Sequence, residues 1–241
     1  MPNIFFHATP HINKNDFDGE ARLFLQQYYP EALRTPMAIP IEYIARHRMG
    51  LRVVERHLTE DFSVLGQMCF TSGLTEIYDK GNDEYKEVKV RYGTMIIDPD
   101  TISKRNDGCR NNTIAHECFH WHKHRDYYIA ISVHDNKKTI KRMCNYEEHP
   151  EASQSFWTDE DWIEWQARGI APRILMPLDS FNATVMLLNE KYNSNSAIQH
   201  KSCSLSSWMI INLAQFFKVS KQSAKIRLEE TGNVFLQNRI D

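Results

Sequence analysis

The spacing of apolar residues predicts helices towards the two ends of the chain and strands between them. Apolar positions between Asp16 and Tyr29 recur at helical spacing, and Pro30 ends that stretch. A second helix is predicted over residues 41–47, before Gly50. Runs of branched and aromatic residues bounded by turn residues predict short strands over 51–57, 63–70, 74–78, 87–90 and 91–98. We expect these strands to form a small, twisted, antiparallel sheet.

Two longer helices are predicted, one beginning near residue 113 and the other at Thr158. Apolar residues 113–115 open a helix that should continue to about Tyr128, and Thr158 caps another whose first turn carries three acids. Pro172 lies inside the later helix, which it should kink or split. Between the two helices, residues 132–157 lack periodicity. Their basic cluster followed by acids is typical of a solvated loop.

Near the C-terminus, residues 205–218 and 221–232 predict two helices around the short turn Val219-Ser220. This arrangement resembles a helix-turn-helix. Its basic content is modest and consists of Lys218, Lys221, Lys225 and Arg227. We therefore interpret the apolar face of these helices as a packing surface and do not expect direct nucleic-acid binding. A DNA-binding regulator remains an alternative function.

Composition places the chain among ordinary globular proteins. Its 241 residues are 41% apolar and 25% charged, with a net charge of −2, so charge gives no argument for binding nucleic acid or membranes. No apolar run approaches the ~20 residues that span a bilayer. The five cysteines are scattered and never form C-x-x-C, and the N-terminus lacks a signal-like leader. We expect a cytoplasmic protein.

The motif H-E-x-x-H, formed by His116, Glu117 and His120, carries the clearest chemistry. Residues four apart share a helix face, so the two imidazoles can converge on one Zn²⁺ ion. Glu117 directly follows a ligand and can reach a water as general base without binding the metal itself. The motif supplies two ligands and a base, but a zinc site needs a third ligand.

A carboxylate from a later helix is a common third ligand. The spacing leaves five candidates open: Glu147, Glu148, Glu151, Glu160 and Glu164. His122 and His124 are further candidates. His122 should point away from the His116/His120 face, and His124 lies about two turns from His116. Either histidine could instead interact with the negative end of the helix.

Four blocks of the sequence, in the same order, resemble the ImmA/IrrE-type metallopeptidases. The block 113–124 is similar to the family's F-T-[LI]-A-H-E-L-G-H-x-x-x-H, with His124 in register, and 164–177 is similar to E-x-x-A-N-x-F-A-A-x-L-L-M-P. The block 213–228 resembles L-A-x-x-F-x-V-S-x-x-A-x-x-x-R-L, and 41–54 more weakly resembles the family's helix-then-strand entry. Together the blocks span most of residues 40–232.

The resemblance implies an α+β fold with a zincin-like core, a small twisted sheet and a helical C-terminal segment. It implies that His116, His120 and Glu164 bind Zn²⁺ and that Glu117 is the general base. It also implies a regulatory endopeptidase that cleaves a helix-turn-helix repressor of a mobile element or stress regulon. The corresponding division is an N-terminal helical extension over 1–35, a peptidase domain over 36–200 and a helical segment over 201–241.

The sequence departs from the family pattern near the motif. Phe119 replaces a glycine, Arg168-Gly169-Ile170 replaces Asn-x-Phe, and Pro172 replaces an alanine. The long interval between His120 and Glu164 predicts an inserted flap. If Phe119 or the 132–157 segment filled the cleft and occluded the metal position, the chain would be a non-catalytic regulatory module, which is the second alternative function.

Overall fold

The computed structural model describes residues 12–135, 141–145, 157–194 and 204–233, which form a mixed α+β fold. The helices are α1 Phe17–Tyr28, α2 Ile41–Tyr43, α3 Asp100–Lys104, α4 Asp107–Phe119, α5 Arg125–Asp135, α6 Asp159–Leu175, α7 Leu178–Asn193, α8 Leu205–Phe217 and α9 Lys221–Glu230. A π-helical turn, Ile44–Arg48, extends α2, and a second, His120–His124, joins α4 to α5. Short 3₁₀ turns occupy Lys14–Asp16 and Pro30–Leu33. The strands are β1 Arg52–Glu55, β2 Val64–Cys69, β3 Gly73–Asp79, β4 Glu84–Val90, β5 Thr94–Ile97 and β6 Lys141–Asn145.

The strands form two sheets, so the prediction of one antiparallel sheet is wrong. A four-stranded sheet has the order β1-β5-β2-β6, and β3 pairs with β4 in a separate hairpin. In the larger sheet β5 lies between β1 and β2, and it runs parallel to β1 and antiparallel to β2. Hydrogen bonding on both sides makes β5 an interior strand. It therefore has no free edge to which an extended peptide could add as a further strand.

Strand β6 lies inside the segment that the sequence predicted to be a solvated loop. Its backbone pairs antiparallel with β2, from Val64↔Asn145 to Cys69↔Lys141. That prediction is wrong for residues 141–145, because pairing with a strand some 75 residues earlier leaves no local periodicity to detect. The flanking residues 136–140 and 146–156, and with them most of the expected flap, lie outside the described residues.

Helix α6 begins at a capping box in which Thr158 accepts a hydrogen bond from the Asp161 backbone and the Asp161 side chain accepts one from the Thr158 backbone. Pro172 does not split the helix, which continues to Leu175. The proline removes one backbone donor, while Ile170, Ala171 and Ile174 around it are fully buried in the core. Packing therefore outweighs the local preference.

One hydrophobic core joins α1, α4, α6 and the two C-terminal helices. The turn between α8 and α9 packs against the first turn of α4, where a Cβ on Gly108 would lie 2.3 Å from the Ser220 nitrogen. Arg227 of α9 is 2% exposed and pairs with Asp18 of α1. One of the four basic residues in the helix-turn-helix-like segment is thus buried. Within the described residues, no helix is long and apolar enough to span a membrane.

Candidate metal centre

Helix α4 and the π-helical turn after it carry the motif residues. The Asn106 side chain caps α4 by accepting from the Cys109 backbone at 2.9 Å, which fixes where the helix begins. His116 and His120 lie one turn apart with their Nε2 atoms 2.9 Å from each other. Both are at most 1% exposed, and so is Glu117 between them. The helix therefore presents two imidazole nitrogens to the same point, as the spacing predicts.

Glu164 of α6 completes a compact group with these histidines. Its Oε1 lies 3.1 Å from His116 Nε2 and its Oε2 lies 3.5 Å from His120 Nε2, and its side chain is 2% exposed. The ligand atoms of the three residues all lie within 4.8 Å of one another. Among the described candidates for the third ligand, the structure brings Glu164 to the pair and leaves Glu160 and His124 outside this group. Glu147, Glu148 and Glu151 lie outside the described residues.

The donor set and its spacing fit a zinc ion. Zinc bonds of about 2.0–2.2 Å to nitrogen and oxygen in a tetrahedron put neighbouring ligand atoms roughly 3.4 Å apart. The separations found here, 2.9, 3.1 and 3.5 Å, surround that value. Two imidazoles and one carboxylate are also a donor set that leaves a fourth position open for water. The residues present are therefore compatible with zinc without a change of backbone.

The electrostatics of the group keep Glu164 in its ionised, ligand-competent form. Burial alone would raise the pKa of this carboxyl, but contact with the neighbouring histidines, above all the charge and hydrogen bond of His116, outweighs burial and holds the pKa well below its usual range. Arg168, one turn later on α6, donates from Nε to Glu164 Oε1 at 3.3 Å. The residue that replaces the family's asparagine thus contacts a candidate ligand directly.

Glu117 lies against strand β2, where Gly66 permits an unusually close approach. A Cβ on Gly66 would lie 2.6 Å from Thr113 Cγ2 and 3.1 Å from Glu117 Oε1. Any side chain at this position would push the strand away from α4. The glycine in β2 therefore sets how closely the carboxylate of Glu117 sits to the sheet.

Two further residues, His124 and Gln166, contact each other next to His120. From the sequence, His124 was a candidate third ligand and Gln166 had no predicted role. His124 Nδ1 is 3.1 Å from His120 Nδ1, and His124 Nε2 is 3.0 Å from Gln166 Oε1. Both residues are fully buried, and burial, followed by the charge of His120, lowers the pKa of His124 well below its usual value. The signal in the sequence was the position of His124 four residues after His120, on the same helix face.

The alternative that His122 or His124 serves a helix C-terminus is wrong, because α5 continues the helix directly after the π-turn. His122 does point away from the ligand pair, towards Tyr28, whose Oη lies 3.4 Å from its Nδ1. Phe119 packs edge-on against His124, with ring centroids 5.4 Å apart. The three ligand atoms are within 3.5 Å of their nearest neighbours, so Phe119 packs behind the group and does not fill the metal position.

The comparison with protein-family models agrees with the sequence resemblance. A peptidase-family model described as the IrrE N-terminal-like domain matches residues 102–229, just over half of the chain. A solved structure of a Mycobacterium tuberculosis transcriptional regulator is similar at 14% identity with a TM-score of 0.44, covering 89% of this chain and 46% of that one. The chain thus spans less than half the length of that protein. A search of curated proteins finds no match. The match over residues 102–229 shows that the chain belongs to the family of the IrrE N-terminal-like domain.

Proposed function

We propose that the chain is a zinc-dependent endopeptidase with a zincin-like core. His116, His120 and Glu164 would hold the metal, and Glu117 would act as general base. The observation that carries the proposal is the convergence of two Nε2 atoms and one carboxylate on a single point, at separations of 2.9–3.5 Å. A buried carboxylate beside two buried imidazoles is costly unless the group is paired or binds a metal, and groups of this kind are concentrated at functional sites.

The roles of the residues follow from their chemistry. When bound, Zn²⁺ supplies Lewis acidity that lowers the pKa of a water and polarises a carbonyl. Glu117 accepts the proton of the attacking water and later donates it to the nitrogen of the leaving amine. Glu117 directly follows His116 in the chain, and Gly66 lets its carboxylate lie against β2.

Access to the site requires a movement, since all four side chains are at most 2% exposed. Burial excludes bulk water and strengthens the electrostatic effect of the ligands. A peptide substrate would reach Glu117 only after residues that cover the site have shifted.

The substrate class follows from the family resemblance. We propose a helix-turn-helix repressor, whose cleavage would release transcription of a mobile element or stress regulon in the cytoplasm. In this proposal the peptidase domain occupies residues 36–200, residues 1–35 form an N-terminal helical extension, and the segment 201–241 is a helical subdomain.

The metal content of the purified chain tests the site. Wild type should hold about one zinc ion per chain, and Glu164→Ala should bind it more weakly. Glu160→Ala is the matched control, because Glu160 is an exposed acid one turn earlier on the same helix. A folded wild type without affinity for zinc would overturn the proposal. Zinc that is unaffected by Glu164→Ala and weakened by Glu160→Ala would show that the third ligand is wrong.

A further inference from the structure

A buried hydrogen-bonded chain leads from one candidate zinc ligand to a residue on another helix. It runs from His120 Nδ1 to His124 Nδ1 over 3.1 Å, and from His124 Nε2 to Gln166 Oε1 over 3.0 Å. All three side chains are fully buried. His120 and His124 belong to the π-helical turn, and Gln166 lies on α6 two residues after Glu164. The same helix thus supplies a ligand and contacts the histidine behind another ligand.

The chemistry of the amide fixes the direction of this chain. A carbonyl oxygen can only accept, so the hydrogen in the contact with Gln166 lies on His124 Nε2. A neutral imidazole has one donor and one acceptor nitrogen, which makes His124 Nδ1 the acceptor. The hydrogen between the two rings therefore lies on His120 Nδ1. The Nε2 atom of His120 then carries a lone pair, and this is the atom that faces His116 and Glu164.

We propose that Gln166 and His124 are positioning residues that hold His120 in the tautomer able to bind a metal through Nε2. The inference rests on the proposed zinc site and deepens it. Neither residue touches the reacting atoms. Gln166 acts through His124, whose ring is also held by edge-on packing against Phe119. The bulky residue that replaces the family's glycine is thereby part of the support for the ligand.

The opposite orientation of the amide would have the opposite effect. If the nitrogen of Gln166 faced His124, each hydrogen in the chain would reverse, and His120 Nε2 would carry a hydrogen in place of the lone pair. A tautomer of that kind cannot bind zinc through Nε2. The chain of contacts is therefore consistent with a metal site only when Gln166 presents its oxygen, as it does here.

Zinc affinity of the full chain, measured by competition with a chromophoric chelator, tests the inference. Gln166→Met keeps the length of the side chain and removes the acceptor, and it should weaken zinc binding by about 10–100-fold. Gln166→Glu keeps an acceptor and should restore affinity to within a few-fold of wild type. Gln67→Met is the matched control, because Gln67 is also fully buried but bonds Thr75 in the sheet, and its zinc affinity should equal that of wild type.

The tautomer itself can be read from ¹⁵N NMR of the histidine rings in the full chain, before and after zinc is added. His120 of wild type should carry its hydrogen on Nδ1 in both states, and a hydrogen on Nε2 in the metal-free wild type would overturn the inference even if Gln166→Met failed to fold. Equal zinc affinity of Gln166→Met and wild type would also overturn it. Both results differ from failure of the proposed function, in which wild type itself would not bind zinc.

Discussion

Two buried carboxylates of the proposed site have different neighbours, and this difference supports the different roles proposed for them. Glu164 contacts His116, His120 and Arg168, and the contacts with His116 and Arg168 stabilise its anionic form. Glu117 lies on the face of α4 that packs on β2, beside Gly66. A carboxylate surrounded by imidazoles is suited to share a metal with them. A carboxylate next to the ligands but outside their group is suited to transfer protons.

The substitution Glu117→Gln separates these roles. It keeps the size of the side chain and removes its basicity, so zinc content should match wild type while cleavage of a repressor falls by about 10²–10⁴-fold. Cleavage can be followed by gel electrophoresis of a candidate helix-turn-helix repressor, with zinc measured on the same samples. The exposed acid Glu76, on β3, provides the control Glu76→Gln, which should change neither quantity. Undiminished cleavage by Glu117→Gln would rule out its role as the base.

For single residues, the sequence predicts which side chains share one face of a helix. The four-residue interval places His116 and His120 on one face whatever the rest of the fold does. Glu164 could be chosen among five carboxylates only through the family pattern, because its position depends on how α6 packs on α4. The contact between His124 and Gln166 depends on the same packing, 42 residues apart in the chain, and could not be predicted from spacing.

Among the elements, β2 and α4 approach each other closely beside Glu117. Gly66 is the residue that permits it, because a Cβ there would overlap the Cγ2 methyl of Thr113 at 2.6 Å. Gly66→Ala should therefore reduce the free energy of unfolding by about 1–3 kcal/mol through overpacking. Urea denaturation followed by tryptophan fluorescence measures the change.

A second substitution identifies the cause of that loss. Thr113→Ser removes the methyl group but keeps the hydroxyl that donates to the Cys109 carbonyl at 3.1 Å. In the double variant the alanine methyl has room, so the loss caused by Gly66→Ala should be smaller in the Thr113→Ser background than in wild type. Equal losses in the two backgrounds would mean that the overlap with Thr113 is not what Gly66 avoids.

One departure from the family pattern, Gly169, is explained by a contact between two helices. Gly169 lets α6 approach α1 closely, since a Cβ there would lie 2.1 Å from Phe17 Cε2. A short sequence window shows the glycine but not the phenylalanine more than 150 residues earlier that requires it. The helices, and the strands of the first half, were largely predictable, because their periodicity can be seen within a short window. Strand order and β6 were not, because they are fixed by partners distant in sequence.

Across the whole molecule, the N-terminal and C-terminal helices meet beside α6. Arg227 of α9 donates to Asp18 of α1 at 3.2 Å and to the Met176 carbonyl at 3.3 Å. Arg173 of α6 pairs with Glu230 of α9 at 3.0 Å. These contacts lie over a core that continues from Phe17 to Leu228. The helix that carries Glu164 is thus packed against α1, near the start of the chain, and α9, near its end.

This arrangement predicts that the described elements unfold together. Asp18→Asn removes the nearer of two acidic partners of the Arg227 guanidinium, which is 2% exposed, and the hydrogen bonds to a charged group that it weakens are worth about 1.5–3 kcal/mol. The unfolding midpoint should therefore fall, while Asp16→Asn, at an exposed acid just before α1, should leave it nearly unchanged. Because α6 shares its core with α1 and α9, circular dichroism and tryptophan fluorescence should report one common transition that shifts as a unit. An Asp18→Asn variant whose two signals separate would instead show that α1 and α9 unfold independently of the helix that carries Glu164.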